Sequence, residues 1–181
     1  MNAIILCGGL STRLGEITKH IPKTLLPVGD RTVLDWQLRS MVSLGILEVV
    51  LAAGHLAEVL EDEVGTERGG CRMIYAIEKE RLGTGGAIAH ALTYVPRPLE
   101  PTFVLNGDIL TAIDYHEMAG RLPEGSDGII LATRVPDASS YGTLAYDTKF
   151  RLQSFQEKRG VRSPGFINGG MYLFRPEVTS Y

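Results

Sequence analysis

Cysteine and histidine are scarce in this chain, and each scarcity removes a class of function. The two cysteines are Cys7, inside an apolar run, and Cys71, after a glycine pair. They suggest neither a disulfide framework nor a metal cluster, and a reducing cytoplasmic setting is expected. The four histidines, His20, His55, His90 and His116, show no ligand spacing such as His-x-x-x-His. No Ser-His-Asp or Cys-His arrangement emerges from the sequence either. No apolar run approaches the ~20 residues of a membrane span. No basic segment precedes the first apolar run, as it would in a signal peptide, so no membrane partner is expected. The net charge of −3 argues against a general nucleic-acid surface, which would be basic. Two common phosphate-binding signatures are missing as well. No Gly-Lys follows the first glycine pair, as Walker A requires, and Gly8-Gly9-Leu10-Ser11 is not a Gly-x-Gly-x-x-Gly fingerprint.

What is present is ordinary in bulk and specific in places. Hydrophobic residues make up 44% of the 181 positions and charged residues 22%, values typical of a globular protein with one good core. The 21 glycines gather at turns and motifs, not in a repeat. Residues 2–7 form a continuous apolar run ending at glycine, the pattern of a strand buried on both faces. Residues 8–31 are expected to be a long ordered loop, and such loops are usually functional. Thr32 or Asp30 is expected to cap a helix whose inner face carries Leu34, Leu38, Met41 and Val42, with Trp36 packing near it and Gly45 stopping it. Further strands are expected at 48–53, 71–78 and 102–108, with helices at 56–64, 88–92 and 113–120. A strand at 128–135, two short strands at 143–146 and 152–155, and a final strand at 165–174 complete the chain. Strands alternating with helices indicate an α/β fold, a Rossmann-like open and mainly parallel sheet with flanking helices. No domain boundary is evident, so residues 1–181 are expected to form a single domain.

Three places carry chemistry. Gly8-Gly9 ends the first strand, followed by Ser11, Thr12 and Arg13 and by a return through Pro22-Lys23. Glycine permits close backbone approach, and the cations suit a diphosphate. The glycine pair alone would signal only a turn; with Arg13 and Lys23 added, a phosphate cradle is the better reading. Leu82-Gly83-Thr84-Gly85-Gly86-Ala87 leads into a helix. It fits a second anion or nucleotide platform, or equally an N-cap by Thr84. Asp108 follows a buried strand and Gly107, at the strand end where ligands gather in open α/β sheets. It is a natural Mg²⁺ ligand there, against the plainer role of capping the next helix.

These stretches resemble the sugar-1-phosphate nucleotidyltransferases, whose signature runs G-G-x-G-T-R-L and then P-K-x-L-x-P-V. Gly8, Gly9, Thr12, Arg13, Leu14, Pro22, Lys23, Leu25, Pro27 and Val28 fall on it. Ser11 stands where the family has glycine, and Cys7 where it has alanine. Further segments match in order: 82–87, 104–108, Tyr141-Gly142, Glu157-Lys158 and 167–174. The closest likeness is to the heptose and mannose 1-phosphate guanylyltransferases. The resemblance implies transfer of a nucleotidyl group from a nucleoside triphosphate, GTP by preference, to a sugar 1-phosphate, with Mg²⁺ as cofactor. It implies that Leu6, Gly8, Gly9, Ser11, Thr12, Gly83 and Thr84 contact nucleotide. It implies further that Arg13, Lys23 and Lys158 are catalytic, that Asp108 holds metal, and that Gly142, Glu157, Asn168 and Gly169 surround the sugar. Glu78, where the family tends to contact the base, would read guanine, because a carboxylate only accepts.

Family members carry a second metal-binding Asp beyond the Asn-Gly-Gly strand. Its absence implies either a truncated C-terminal end or metal held by Asp108, substrate oxygens and water. A uridylyl- or cytidylyltransferase, and a catalytically silent nucleotide-sugar-binding subunit, remain as alternatives. Whether the chain forms a homo-oligomer is left open.

Overall fold

A computed structural model describes residues 1–9, 19–156, 160 and 162–180. The chain divides into two compact units, Met1–Ile129 with Tyr172–Tyr181, and Ile130–Met171.

The first unit is built on strands β1 (Asn2–Leu6), β4 (Glu48–Ala53), β6 (Cys71–Ile77) and β7 (Thr102–Asn106). β1 pairs in parallel with β4 on one side and β7 on the other, and β4 pairs in parallel with β6. A short strand, β5 (Glu67–Arg68), turns back antiparallel onto β6. The expected open, mainly parallel sheet is thus present. Its continuous apolar strands are fully covered: Ile4, Ile5, Val49, Val50, Leu51, Phe103 and Val104 are each 0% exposed. Burying side chains of this size contributes roughly 1.5–3 kcal/mol each.

Helices α1 (Val33–Ser43), α2 (Ala57–Val64), α3 (Gly83–Leu92) and α4 (Tyr115–Gly120) accompany this sheet. Thr32 caps α1: its hydroxyl accepts from the Asp35 amide at 3.1 Å, and the Asp35 carboxylate accepts from the Thr32 amide at 3.0 Å. Leu34, Leu38 and Met41 are buried as expected, but Val42 is exposed and the buried polar Gln37 takes a place on the inner face. Trp36 does not join the core. Its indole N–H donates to the Val28 carbonyl at 2.9 Å, and Arg31 and Arg39 lie over its ring. Flanking arginines hold an indole well at a surface through cation–π contact, which residue spacing alone does not show.

The described part of the long loop holds short elements that were not expected. It contains a 3₁₀ turn at Lys23–Leu25 and a hairpin of β2 (Pro27–Val28) with β3 (Arg31–Thr32), elements too short for a periodic signal. α3 begins at Gly83, five residues before the expected start, because glycine-rich sequence hides a helix that packing stabilises.

The second unit holds β9 (Thr143–Tyr146) and β10 (Leu152–Gln156) and most of β8 (Gly128–Val135) and β11 (Gly165–Phe174). β9 pairs antiparallel with β10 and with β11, and β8 pairs with β11.

Arg68 grips Asp35 through two nitrogens, at 2.7 and 3.1 Å, and that guanidinium holds the carboxyl well below the usual carboxylate range. The stabilisation is therefore complete above about pH 4, the unfolded value, and is lost as pH falls toward the depressed folded value. Asp35→Ala is expected to cost about 1–2 kcal/mol at pH 7, the worth of a good cap. The gap from the parent protein should narrow at pH 3, as read from urea midpoints at the two pH values.

Candidate active site

Strand order runs β7-β1-β4-β6-β5, so successive connections reverse direction at β1. Ligands in open α/β sheets bind outside the carboxyl ends of strands at such a reversal. A cleft of about 420 Å³ opens there, lined by Leu6, Gly8 and Gly9 after β1, Glu78 after β6, and Gly107 and Asp108 after β7. Lys23, Gly83 and Thr84 also line it. Eight of the residues expected to serve the site therefore share one cavity. Ser11, Thr12 and Arg13 lie outside the described residues, as do Glu157 and Lys158.

Close backbone contact builds the floor of the cleft. The Gly107 amide donates to the Leu6 carbonyl at 2.9 Å, and a Cβ at Gly107 would stand 2.7 Å from that oxygen. No larger residue fits without moving the backbone. Gly8 similarly approaches Gly54, with 3.2 Å from a built Cβ to the Gly54 nitrogen. Beside them Cys7 is buried, and that burial pushes its thiol up to about 12. It is therefore a neutral wall residue, not a nucleophile.

Asp108 is placed by a residue the sequence did not point to. The Gln37 side-chain amide donates to the Asn106 carbonyl at 2.9 Å and to the Ile109 carbonyl at 2.8 Å, bracketing the turn that carries Asp108. Gln37 is 2% exposed. A polar residue among Leu34, Leu38 and Met41 was the available signal, because a buried amide needs partners. The Asp108 carboxylate itself accepts from Lys23 Nζ at 2.9 Å. Both side chains are partly exposed, so the pair is worth at most about 1 kcal/mol and leaves both groups available to a ligand.

Glu78 is anchored by its amide to the Ala53 carbonyl at 2.8 Å, and its carboxylate accepts from the Leu82 amide at 3.2 Å. Arg81, between them, also lines the cleft and was missed by sequence reading. α3 then starts with Leu82 at its N-cap and no side-chain capping bond. Thr84 is inside the helix, so the plain capping role is ruled out. The uncapped amides of the first turn favour an anion.

In the second unit, a separate cleft of about 420 Å³ is lined by Arg134, Tyr141, Tyr146, Gln156 and Phe166. Gly142, Asn168 and Gly169 do not line it. Asn168 Oδ1 accepts from the Gly170 amide at 2.8 Å. A Cβ at Gly169 would stand 2.8 Å from the Leu131 carbonyl and 2.9 Å from Thr133 Oγ1, so glycine is required there by the approach of β8.

The nucleotidyl transferase family model matches residues 2–181. The chain belongs to that family. Among curated relatives, D-glycero-alpha-D-manno-heptose 1-phosphate guanylyltransferase of Campylobacter jejuni is 40% identical, over 98% of this chain and 77% of its own length. Mannose-1-phosphate guanyltransferase beta-A of Xenopus laevis is 36% identical, over 98% of this chain and 51% of its own length. The chain thus spans about half of that mannose enzyme. The crystal structure of HddC from Yersinia pseudotuberculosis complexed with GMP-PN superposes with a TM-score of 0.82 at 30% identity, covering 99% of this chain and 79% of that one. For a nucleotidyl transferase, the cleft at the β1 reversal is the natural place for the nucleotide.

Gln37→Leu is expected to destabilise the protein by about 1–3 kcal/mol, because the Asn106 and Ile109 carbonyls lose the Gln37 donor. It should also speed amide hydrogen exchange at 107–109 while β4 stays protected. Unchanged exchange at 107–109 would show that Gln37 does not hold the Asp108 turn.

Proposed function

We propose that this nucleotidyl transferase moves GMP from GTP to a heptose- or mannose-type sugar 1-phosphate, yielding a GDP-sugar and pyrophosphate. The observation that carries the proposal is the cleft itself. A glycine turn, a lysine and a carboxylate 2.9 Å apart, and an uncapped helix start meet in it, a combination that suits a triphosphate. The names of the two guanylyltransferase relatives favour guanine and these sugars. The family match over residues 2–181 favours one nucleotidyltransferase domain.

The chemistry requires little of the protein beyond charge and alignment. A phosphate oxygen of the sugar 1-phosphate attacks the α-phosphorus, a new P–O bond forms, and the bond from that phosphorus to the α,β-bridging oxygen breaks. Pyrophosphate leaves with the electron pair, and no proton has to move. The barrier is the approach of one anion to another, which fixed cations lower. Lys23 acts as a point charge at the reacting phosphates, and Arg13 grips the leaving diphosphate with its planar fork. Gly8, Gly9, Ser11 and Thr12 approach the phosphates, with Leu6, Gly83 and Thr84 around the nucleoside. Lys158 binds the attacking phosphate and Glu157 the sugar hydroxyls, with Gly142, Asn168 and Gly169 around the sugar. Glu78 accepts from the N1–H and amino group of guanine.

The donor set suits magnesium. Among the described residues no cluster of three His, Cys, Asp or Glu is present, while Asp108 offers one accessible carboxylate in the cleft. Mg²⁺ is commonly held by one or two carboxylates together with water and substrate phosphates. When bound it supplies charge neutralisation at the triphosphate. With a triphosphate in the cleft, Lys23 would exchange its Asp108 partner for phosphate oxygen.

A pyrophosphate-release assay crossing GTP, UTP, CTP, ATP and dTTP with mannose, heptose and glucose 1-phosphates tests the proposal. GTP with mannose or heptose 1-phosphate should react fastest. Lys23→Ala and Asp108→Asn should each slow release by about 10²–10³-fold, the scale of losing one preorganised electrostatic contact. If no pair reacts while nucleotide sugars still bind, the chain is a silent binding subunit. Glu78→Gln should erode the preference for GTP over UTP, and an intact preference would remove Glu78 from base recognition.

A further inference from the structure

We propose that Arg81 is the second half of a guanine-reading pair, donating to O6 and N7 of the base whose N1–H and 2-amino edge faces Glu78. This rests on the guanylyl reading above and extends it to a residue that neither the signature nor the spacing singled out. Three observations carry it. Arg81 lines the same cleft as Glu78, Gly83 and Thr84. The loop that carries both residues is closed on itself by the bond from the Leu82 amide to Glu78 Oε2 at 3.2 Å, with Arg81 inside the closed turn. Arg81 also has an uncommitted charge. Arg68, Arg72, Arg97 and Arg121 are each paired with a carboxylate, whereas Arg81 makes no ion pair among the described residues.

Donor and acceptor chemistry then selects the base. A carboxylate only accepts and a guanidinium only donates. Guanine presents two donors, N1–H and the 2-amino group, next to two acceptors, O6 and N7. Adenine reverses the first part of that pattern, with a lone pair at N1 and an amino group at C6. Uracil and cytosine have no N7. A bidentate arginine on O6 and N7 is a standard way to recognise guanine and is worth about tenfold or more in discrimination. Glu78 alone leaves uracil, with its N3–H, as an acceptable ligand; Arg81 supplies the contact that uracil cannot return.

Equilibrium titration of the whole chain, with Mg²⁺ and without sugar phosphate, separates this role from a phosphate contact. The probes are GTP, inosine triphosphate, which lacks the 2-amino group, 7-deaza-GTP, which lacks N7, and UTP. The parent protein should bind 7-deaza-GTP about tenfold more weakly than GTP. Arg81→Met should bind GTP about tenfold more weakly than the parent and should no longer distinguish GTP from 7-deaza-GTP. It should still prefer GTP to inosine triphosphate, through Glu78, and bind UTP as the parent does. Equal weakening toward GTP, 7-deaza-GTP and UTP would make Arg81 a phosphate contact and overturn the proposal. Unchanged GTP affinity in Arg81→Met would overturn it as well. A parent protein that binds none of the four, or prefers UTP, would overturn the guanylyl reading itself, and this inference with it. Arg81 is exposed, so a thermal midpoint equal to the parent's is expected and checks that the variant is folded.

Discussion

The bond from the Gly107 amide to the Leu6 carbonyl, at 2.9 Å, sets the geometry on which the site depends. It joins the ends of β1 and β7 at the point where strand order reverses. It requires glycine at 107, because any Cβ there would meet the Leu6 oxygen. It also places the next residue, Asp108, at the mouth of the cleft, not in the sheet. The apolar core behind it serves the same end: fully buried parallel strands hold the two strand ends in register with little freedom to separate.

From that contact the site is assembled outward by interactions of rising exposure. Gln37, buried in α1, brackets the Asp108 turn from behind. Asp108 and Lys23 meet at the surface of the cleft in a partly exposed pair, weak enough to open to a ligand. Glu78 is held by the Leu82 amide, and Arg81, which lines the same cleft, makes no ion pair among the described residues. Rigid groups lie underneath and exchangeable charges on top, as suits a reaction whose barrier is the approach of two anions.

Much of this was legible in the sequence, and the exceptions have physical reasons. The strands 48–53, 128–135 and 165–174 were read with their observed bounds, because apolar runs between turn residues leave few alternatives. Gly8, Lys23, Glu78 and Asp108 were found through short motifs, and the fold brings them to one cavity. α3 was placed late because its first turn is Gly-Thr-Gly-Gly, poor helix sequence that tertiary contacts override. Trp36 was expected to pack near the core because it lies close to the inner face of α1, yet a hydrogen bond and two arginines hold it at the surface. Gln37 and Arg81 escaped notice because their roles depend on partners distant in sequence or on a cavity wall. Gly169 was singled out by a motif, and the close approach of β8 is a packing reason for glycine there that the motif does not show.

The central claim is that one phosphoanhydride is exchanged for another in this cleft, without hydrolysis. Phosphorus-31 NMR of the protein with GTP, mannose 1-phosphate and Mg²⁺ tests it most directly. The account predicts a GDP-sugar and pyrophosphate appearing in equal amounts, with no free GMP or orthophosphate, and a reverse reaction when pyrophosphate is added. Orthophosphate with GDP, or GMP with pyrophosphate and an untouched sugar phosphate, would contradict it.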